Sequence, residues 1–406
     1  MKYQKALVLY LHVHQPFRIK HYTVFDIGVD HNYFNSYEDN LTNNIQILNK
    51  VAEKSYLPTN NLLLKLLNKH PEFKLSLSIS GTVLEQMESF TPHVLNSFKE
   101  LVSTGRVEIV TETYYHSLAF FYSKDEFKRQ VEMHQQKILE LFGQKPCVFR
   151  NTELAYNNEL ASWAEEAGFK GILAEGWDNI LNWRSPNFVY RPINTSKISL
   201  LLKNYKLSDD IAFRFGDKNW SEWPLTANKF CHWISEDHNA TNIDLFMDYE
   251  TFGEHQWEHT GIFDFMDHLP IEWLNNENHS FMTVSEAIDN FEPVDEIDMP
   301  YTVTWADTER DLSAWLGNSM QQNSISALYQ LENKVLSTNN HNLISDWRKL
   351  QTSDHFYYMC TKWFNDGDIH AYFSAYETPY IAYMNFINAL NDIRSRLFDL
   401  GVDFNG

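Results

Sequence analysis

The chain has 406 residues and a formal net charge of −21, which argues against nucleic acid or an anionic membrane as a partner. A hydrophobic fraction of 43% and an aromatic fraction of 15%, with twelve Trp, support a sizeable core and leave aromatics over for a binding surface. That length admits one large α/β barrel with an appendage, or two medium domains. Cys147, Cys231 and Cys360 are odd in number and far apart, which argues against a disulfide scaffold and favours a reducing compartment.

In chain order, short apolar runs stand at 6–11, 74–79, 106–110, 147–149, 171–174, 198–202 and 243–247. Helical patterns lie between several of them. The stretch 125–142 is one, with Ser123 as its N-cap and Glu126 three residues on. Alternation of this kind implies parallel strands with helical crossovers, and seven strands suggest a closed or nearly closed barrel. The first run passes into His12-Val13-His14 without a small-residue cleavage site. No segment reaches about 18 uninterrupted apolar residues, so the cytoplasm is the expected location. After about residue 305 the alternation stops. The stretches 312–331, 343–364 and 380–400 read as helices, so the expected domains are a barrel over 1–305 and a helical region over 306–406.

The residues that follow each strand carry chemistry. Strand one leads to His12, His14 and Gln15. The run at 106–110 leads to Glu112, Tyr114 and His116, and that at 147–149 to Arg150 and Glu153. The run at 171–174 leads to Glu175 and Trp177. The last strand opens into Asp248-Tyr249-Glu250-Thr251-Phe252-Gly253-Glu254-His255. In barrel folds the carboxyl ends of strands hold the site. Clustered acids in that octapeptide are expected to raise one another's pKa. Arg150 is expected to hold Glu153 ionised, although capping of the helix that includes 158–167 would explain Glu153 equally well. Two carboxylates at different strand ends, one ionised and one protonated, form the pair that glycoside hydrolysis requires.

Two further patterns stay open. His12-Val13-His14 could place two histidines on one side of a strand as zinc ligands, with His116 the other well-placed histidine; hydrogen bonding of His14 to a sugar hydroxyl, with His12 packed beneath it, is the favoured reading. Trp220, Trp223 and Trp233, with Trp177 and Trp183, could stack on sugars or pack as core. Trp220 is the best candidate for stacking because Arg214–Asn219 makes its surroundings polar. Glu286, in Thr283-Val284-Ser285-Glu286, reads as a helix-start carboxylate.

Five segments resemble, in order, the motif regions of glycoside hydrolase family 57. They are His14-Gln15-Pro16, Gly105–Val110 with Tyr114-Tyr115-His116, Arg150-Asn151-Thr152-Glu153, the octapeptide at 248–255, and the stretch from Trp305 through Asp311 and Trp315 to Asn318. The resemblance implies an α/β fold, an incomplete (β/α)7 barrel with a helical C-terminal region, and a retaining mechanism on α-1,4-glucans. It matches Glu153 to the nucleophile and Asp248 to the general acid/base. It places His14, Gln15, Glu108 or Glu112, His116, Glu250, His255, Asp311 and Trp315 in motifs that shape the sugar subsites. Branching members are generally longer, which points toward the α-amylase type. No metal or organic cofactor is needed for this chemistry. A sugar acceptor in place of water would make the same residues a 4-α-glucanotransferase. The rivals from other classes are a metal-dependent hydrolase or deacetylase using His12 and His14, and a glucan-binding protein without catalysis.

Overall fold

The computed structural model describes residues 5–36, 40–362 and 369–402. The chain divides into two compact units. One comprises Met1–His14, Asn49–Glu112 and His134–Trp305; the other comprises Gln15–Leu48, Thr113–Met133 and Ala306–Gly406. Among the described residues no helix is long and apolar enough to cross a membrane.

The first unit is built on seven parallel strands: β1 (Lys5–Val13), β2 (Leu75–Ile79), β3 (Val107–Ile109), β4 (Val148–Arg150), β5 (Gly171–Glu175), β6 (Ser199–Lys203) and β7 (Asn242–Asp248). Ladders join β3, β2, β1 and β7 in that order, and β4, β5 and β6 form a second group. The groups meet at two places. A parallel bridge pairs Thr111, just past β3, with Phe149 of β4. On the other side, Asn204 N–H, just past β6, donates to Asp244 O of β7 at 2.9 Å. The seven strands therefore follow one another around a ring whose last join is a single backbone bond, an incomplete (β/α)7 barrel. All nine residues of β1 and all five of β2, β5 and β6 are buried, as expected when both faces of a parallel sheet are covered.

Ala6, Val8 and Tyr10 of β1 share one apolar cluster with Val110, Val148 of β4, Leu173 of β5, Leu201 of β6 and Phe246 of β7. Strands that are not neighbours in the ring can meet only across its interior, so these side chains point inward. The side-chain period of a strand is two. Two residues further on, each strand must again point inward, at its carboxyl end, and the residues found there are His12, Glu112, Arg150, Glu175, Lys203 and Asp248. At the opposite end, Val284, Ala287 and Phe291 of helix Val284–Asn290 and its C-terminal neighbour join the same cluster. That helix closes the bottom of the barrel. Thr283 and Glu286 form a reciprocal capping box at its start. Glu108, two residues before Val110, accepts from Ser285 N–H at 3.0 Å; burial pushes its carboxyl above the usual range. Asp244, two residues before Phe246, is fully buried and is driven well above the carboxylate range by that burial.

Lys5, at the start of β1, shows what fastens the outer helices. Its ammonium donates to the carbonyl oxygens of Ile234 (2.9 Å), Ser235 (3.0 Å) and Asp237 (2.6 Å) at the end of helix Ala227–Glu236, where carbonyls lack helical partners and favour a cation. Lys5→Met removes all three bonds while keeping the stem. It is expected to lower the unfolding free energy by about 2 kcal/mol, read as a lower urea midpoint with circular dichroism of the folded state unchanged.

The C-terminal part of the second unit is helical. Beyond residue 305 its helices are Ser313–Leu316, Ser319–Tyr329, Glu332–Ser337, His341–Lys349, Ser353–Tyr357, Ile369–Phe373 and Pro379–Asp399. The stretch 343–364 expected as one helix is broken near Leu350, and its last two residues lie outside the described ones. Ser123 caps Lys124–Phe142 through a 3.2 Å bond from Glu126 N–H, and the Glu126 carboxylate binds Arg129 and Arg348, each at 2.8 Å.

Candidate active site

The inward layer at the carboxyl ends of the strands is a charged network. β1 and β7 are paired in register His12↔Asp248, which sets these two side chains side by side. His12 Nδ1 lies 3.6 Å from Asp248 Oδ1, and its Nε2 lies 3.1 Å from Glu112 Oε1. Arg150 Nη1 stands 3.4 Å from His12 Nε2 and 3.6 Å from Glu112 Oε2. Arg150 and Glu112 are wholly buried and His12 is 2% exposed, whereas the Asp248 side chain keeps 41% of its surface. Burial works to lower the pKa of Arg150, but Tyr10, Glu112, Glu153 and Asp248 outweigh it and hold the guanidinium above its ordinary value. The two candidate catalytic carboxylates thus act on the same buried cation. Across the ring, Lys203 lies 3.9 Å from Glu175 and 3.4 Å from Asp209.

Glu153 is not part of a helix. β4 runs into a one-turn 3-10 segment, Thr152–Leu154, in which Glu153 has φ 58° and ψ 24° and Leu154 has φ 50°. Left-handed backbone at two successive non-glycine residues is strained, at about 1–3 kcal/mol each, and such strain concentrates at functional sites. The capping explanation for Glu153 fails here. Helix Asn158–Glu166 is capped by the side chain of Asn157, which accepts from Leu160 N–H. Glu153 Oε2 accepts from Trp305 Nε1 at 2.9 Å.

The octapeptide does not gather its acids at one point. Asp248 stays with the inward layer. Glu250 turns outward to accept from Tyr56 Oη, and Glu254 pairs with Lys50 at 2.6 Å. Gly253 makes the turn at φ 105°; a Cβ there would stand 1.9 Å from Lys54 O, so a side chain is excluded. Mutual repulsion among these acids is therefore not what sets Asp248. Burial alone would raise its pKa, but the hydrogen bond and charge of His12, with His255 and Arg150, bring it below the usual carboxylate value. Asp248 is ionised in the free site, contrary to the protonated acid expected from a crowded motif. His255 is pushed down by burial, against the pull of Asp248.

His14 stacks on His12, with ring centroids 5.7 Å apart and planes at 13°, and its Nδ1 lies 2.7 Å from Ser80 Oγ. Between Glu108 and Glu112 the barrel makes the choice: Glu112 is in the upper layer and Glu108 at the bottom. Trp177 precedes the short helix Asp178–Leu181 and is half-buried. Trp220 meets Trp233 edge to face at 6.3 Å, with Arg214 5.9 Å from its ring. Four expected residues belong to the second unit. Gln15 accepts from Arg18 Nη2 at 3.0 Å. His116 is 2% exposed with φ 50°. Asp311 is exposed and accepts from Ser313 N–H at 2.8 Å. Trp315 is 1% exposed and packs near Tyr357.

Arg150 joins the site where its place in the sequence beside Glu153 put it, whereas Lys203 and Trp305 are members that the expected strand-end residues did not include. Lys203 had a signal that was overlooked: it is the polar residue directly after the apolar run at 198–202. Trp305 had none beyond its place at the start of a motif.

An acid-lined mouth at the carboxyl ends of barrel strands is the setting in which glycosidases carry their chemistry. Residues 8–300 match the model of Glycosyl hydrolase family 57, and the chain belongs to that family. It is 44% identical over 400 residues to a putative alpha-amylase of Methanocaldococcus jannaschii, covering 96% of this chain and 84% of that protein. It is 23% identical over 271 residues to a 4-alpha-glucanotransferase of Thermococcus litoralis, covering 65% of this chain but 40% of that protein. Among solved structures, the GH57-type branching enzyme of Pyrococcus horikoshii superposes with a TM-score of 0.71 at 15% identity, over 96% of this chain and 88% of that one. This likeness shows the fold alone.

Proposed function

We propose that the chain is a retaining glycoside hydrolase that cleaves α-1,4-glucosidic bonds in starch- or glycogen-type glucans. The observation that carries this reading is that Glu153 and Asp248, at the carboxyl ends of β4 and β7, both act on the buried Arg150 guanidinium. In the first step Glu153 attacks the anomeric carbon while Asp248 protonates the departing oxygen. In the second, Asp248 takes a proton from water, which displaces Glu153 and restores the original anomer. Both steps pass through positive charge on the sugar ring, which the acidic surroundings of the site favour. His14, whose Nδ1 meets Ser80 Oγ and whose ring stacks on His12, is the candidate for hydrogen bonding to a sugar hydroxyl.

A metal bound at His12 has less support. A cation on His12 Nε2 would face the Arg150 guanidinium 3.4 Å away, a like-charge contact in a buried site. Turnover is expected to survive exhaustive chelation.

The test is to follow maltoheptaose by chromatography, reducing-end assay and proton NMR. The expected result is a net rise in reducing ends, with the first-formed product as the α-anomer. Redistribution of chain lengths without that rise makes the enzyme a 4-α-glucanotransferase using the same residues. A first-formed β-anomer, or no turnover on any α-glucan, would overturn the assignment.

A further inference from the structure

We propose that Trp305 is the positioning residue of the nucleophile, holding the Glu153 carboxylate in the orientation from which it attacks. This rests on the assignment of Glu153 made above.

The case begins with the backbone. Glu153 and Leu154 both occupy left-handed conformations that their own side chains oppose, so something outside the turn must maintain them. That support is the segment 303–305. Val303 and Tyr156 exchange two backbone hydrogen bonds, each 2.9 Å, in an antiparallel bridge. Trp305 N–H then donates to Glu153 O at 3.3 Å. The same residue returns through its side chain, with Nε1 donating to Glu153 Oε2 at 2.9 Å. One residue thus grips both the main chain and the carboxylate of Glu153.

The indole is itself held. Arg150 lies 5.2 Å from its ring centroid and Lys203 5.4 Å, each drawn to the ring quadrupole, and the His12 ring meets it edge-on at 6.3 Å. Lys203 comes from β6, with Glu175 of β5 beside it; Arg150 comes from β4, with Glu112 and His12 beyond it. Side chains from three strands, β1, β4 and β6, therefore converge on one ring. Misplacement of a reacting group by about 1 Å can cost 10²-fold in rate, so a donor that fixes this carboxylate acts on kcat.

The test compares Trp305→Phe, which keeps a ring for both cations but has no N–H, with Trp305→His, which restores a donor on a smaller ring. Trp305→Phe is expected to lower kcat by about 30–100-fold with KM within threefold of wild type. The acid limb of its kcat/KM profile should move to higher pH, because a carboxylate that loses a donor to its ionised form takes up its proton more readily. Trp305→His should recover part of both. Wild-type kcat and an unmoved acid limb in Trp305→Phe would overturn the proposal. So would a loss of kcat with the acid limb in place, since poorer packing alone would give that. Glu153→Ala, assayed alongside, separates the two claims: substantial activity there refutes the nucleophile assignment itself, whatever Trp305→Phe does.

Discussion

Glu153→Gln is expected to reduce turnover of maltoheptaose by at least about 10⁴-fold while leaving KM within a few-fold. The amide has the size of the carboxylate, and its oxygen can still accept from Trp305 Nε1, so the turn at Thr152–Leu154 and the shape of the site are preserved. What it lacks is the anion that bonds to the anomeric carbon. Arg150 keeps Glu112 and Asp248 as counter-charges, so folding should not change, and equal thermal midpoints would verify that. Glu153→Ala with added azide extends the test. On an aryl α-maltooligoside, azide entering the vacated space must approach from the face opposite the leaving group, so the product is the β-glycosyl azide, identified by NMR. Restored activity that yields only the α-azide would place the nucleophile elsewhere. Loss of less than about tenfold in Glu153→Gln would remove the double-displacement mechanism from this site.

The barrel was legible in the sequence because most strands are short, largely apolar runs that alternate with helical stretches. All seven expected runs correspond to β1–β7, shifted by one or two residues at their ends. The inward charged layer was legible in principle by stepping two residues from an inward apolar position: Tyr10 to His12, Val110 to Glu112, Val148 to Arg150, Leu201 to Lys203, Phe246 to Asp248. Glu108 and Glu112 are four residues apart and share one parity with the inward Val110, so the side-chain period cannot separate them; what does is their distance along the strand, which puts them in different layers of the barrel. The left-handed turn at Glu153 was hidden for another reason. No glycine marks it, and the conformation is imposed by the segment 303–305, some 150 residues away in the chain. The state of Asp248 was misjudged because its neighbours in sequence, Glu250 and Glu254, are not its neighbours in space.

Asp248→Asn should lower kcat on maltoheptaose by about 10²–10⁴-fold, and much less on an aryl glycoside whose leaving group departs without a proton. The pH dependence tests the same residue more closely. A general acid works only when protonated, so activity falls as pH rises through its pKa. In the free site the His12 hydrogen bond and charge, with His255 and Arg150, overcome burial and hold Asp248 below the ordinary carboxylate value. The falling limb of kcat/KM, which reports the free enzyme, should therefore begin at acidic pH. A bound sugar covers the 41% of the Asp248 side chain that is open to water, and loss of that hydration favours the neutral acid. The falling limb of kcat, which reports the complex, should thus lie at higher pH than that of kcat/KM. His12→Gln keeps a partner for Glu112 near the position of Nε2 but loses the contact from Nδ1 to Asp248. Its falling kcat/KM limb should move to higher pH, toward an ordinary carboxylate. If the limb stays put in His12→Gln, or persists unchanged in Asp248→Asn, the group that protonates the leaving oxygen is not Asp248.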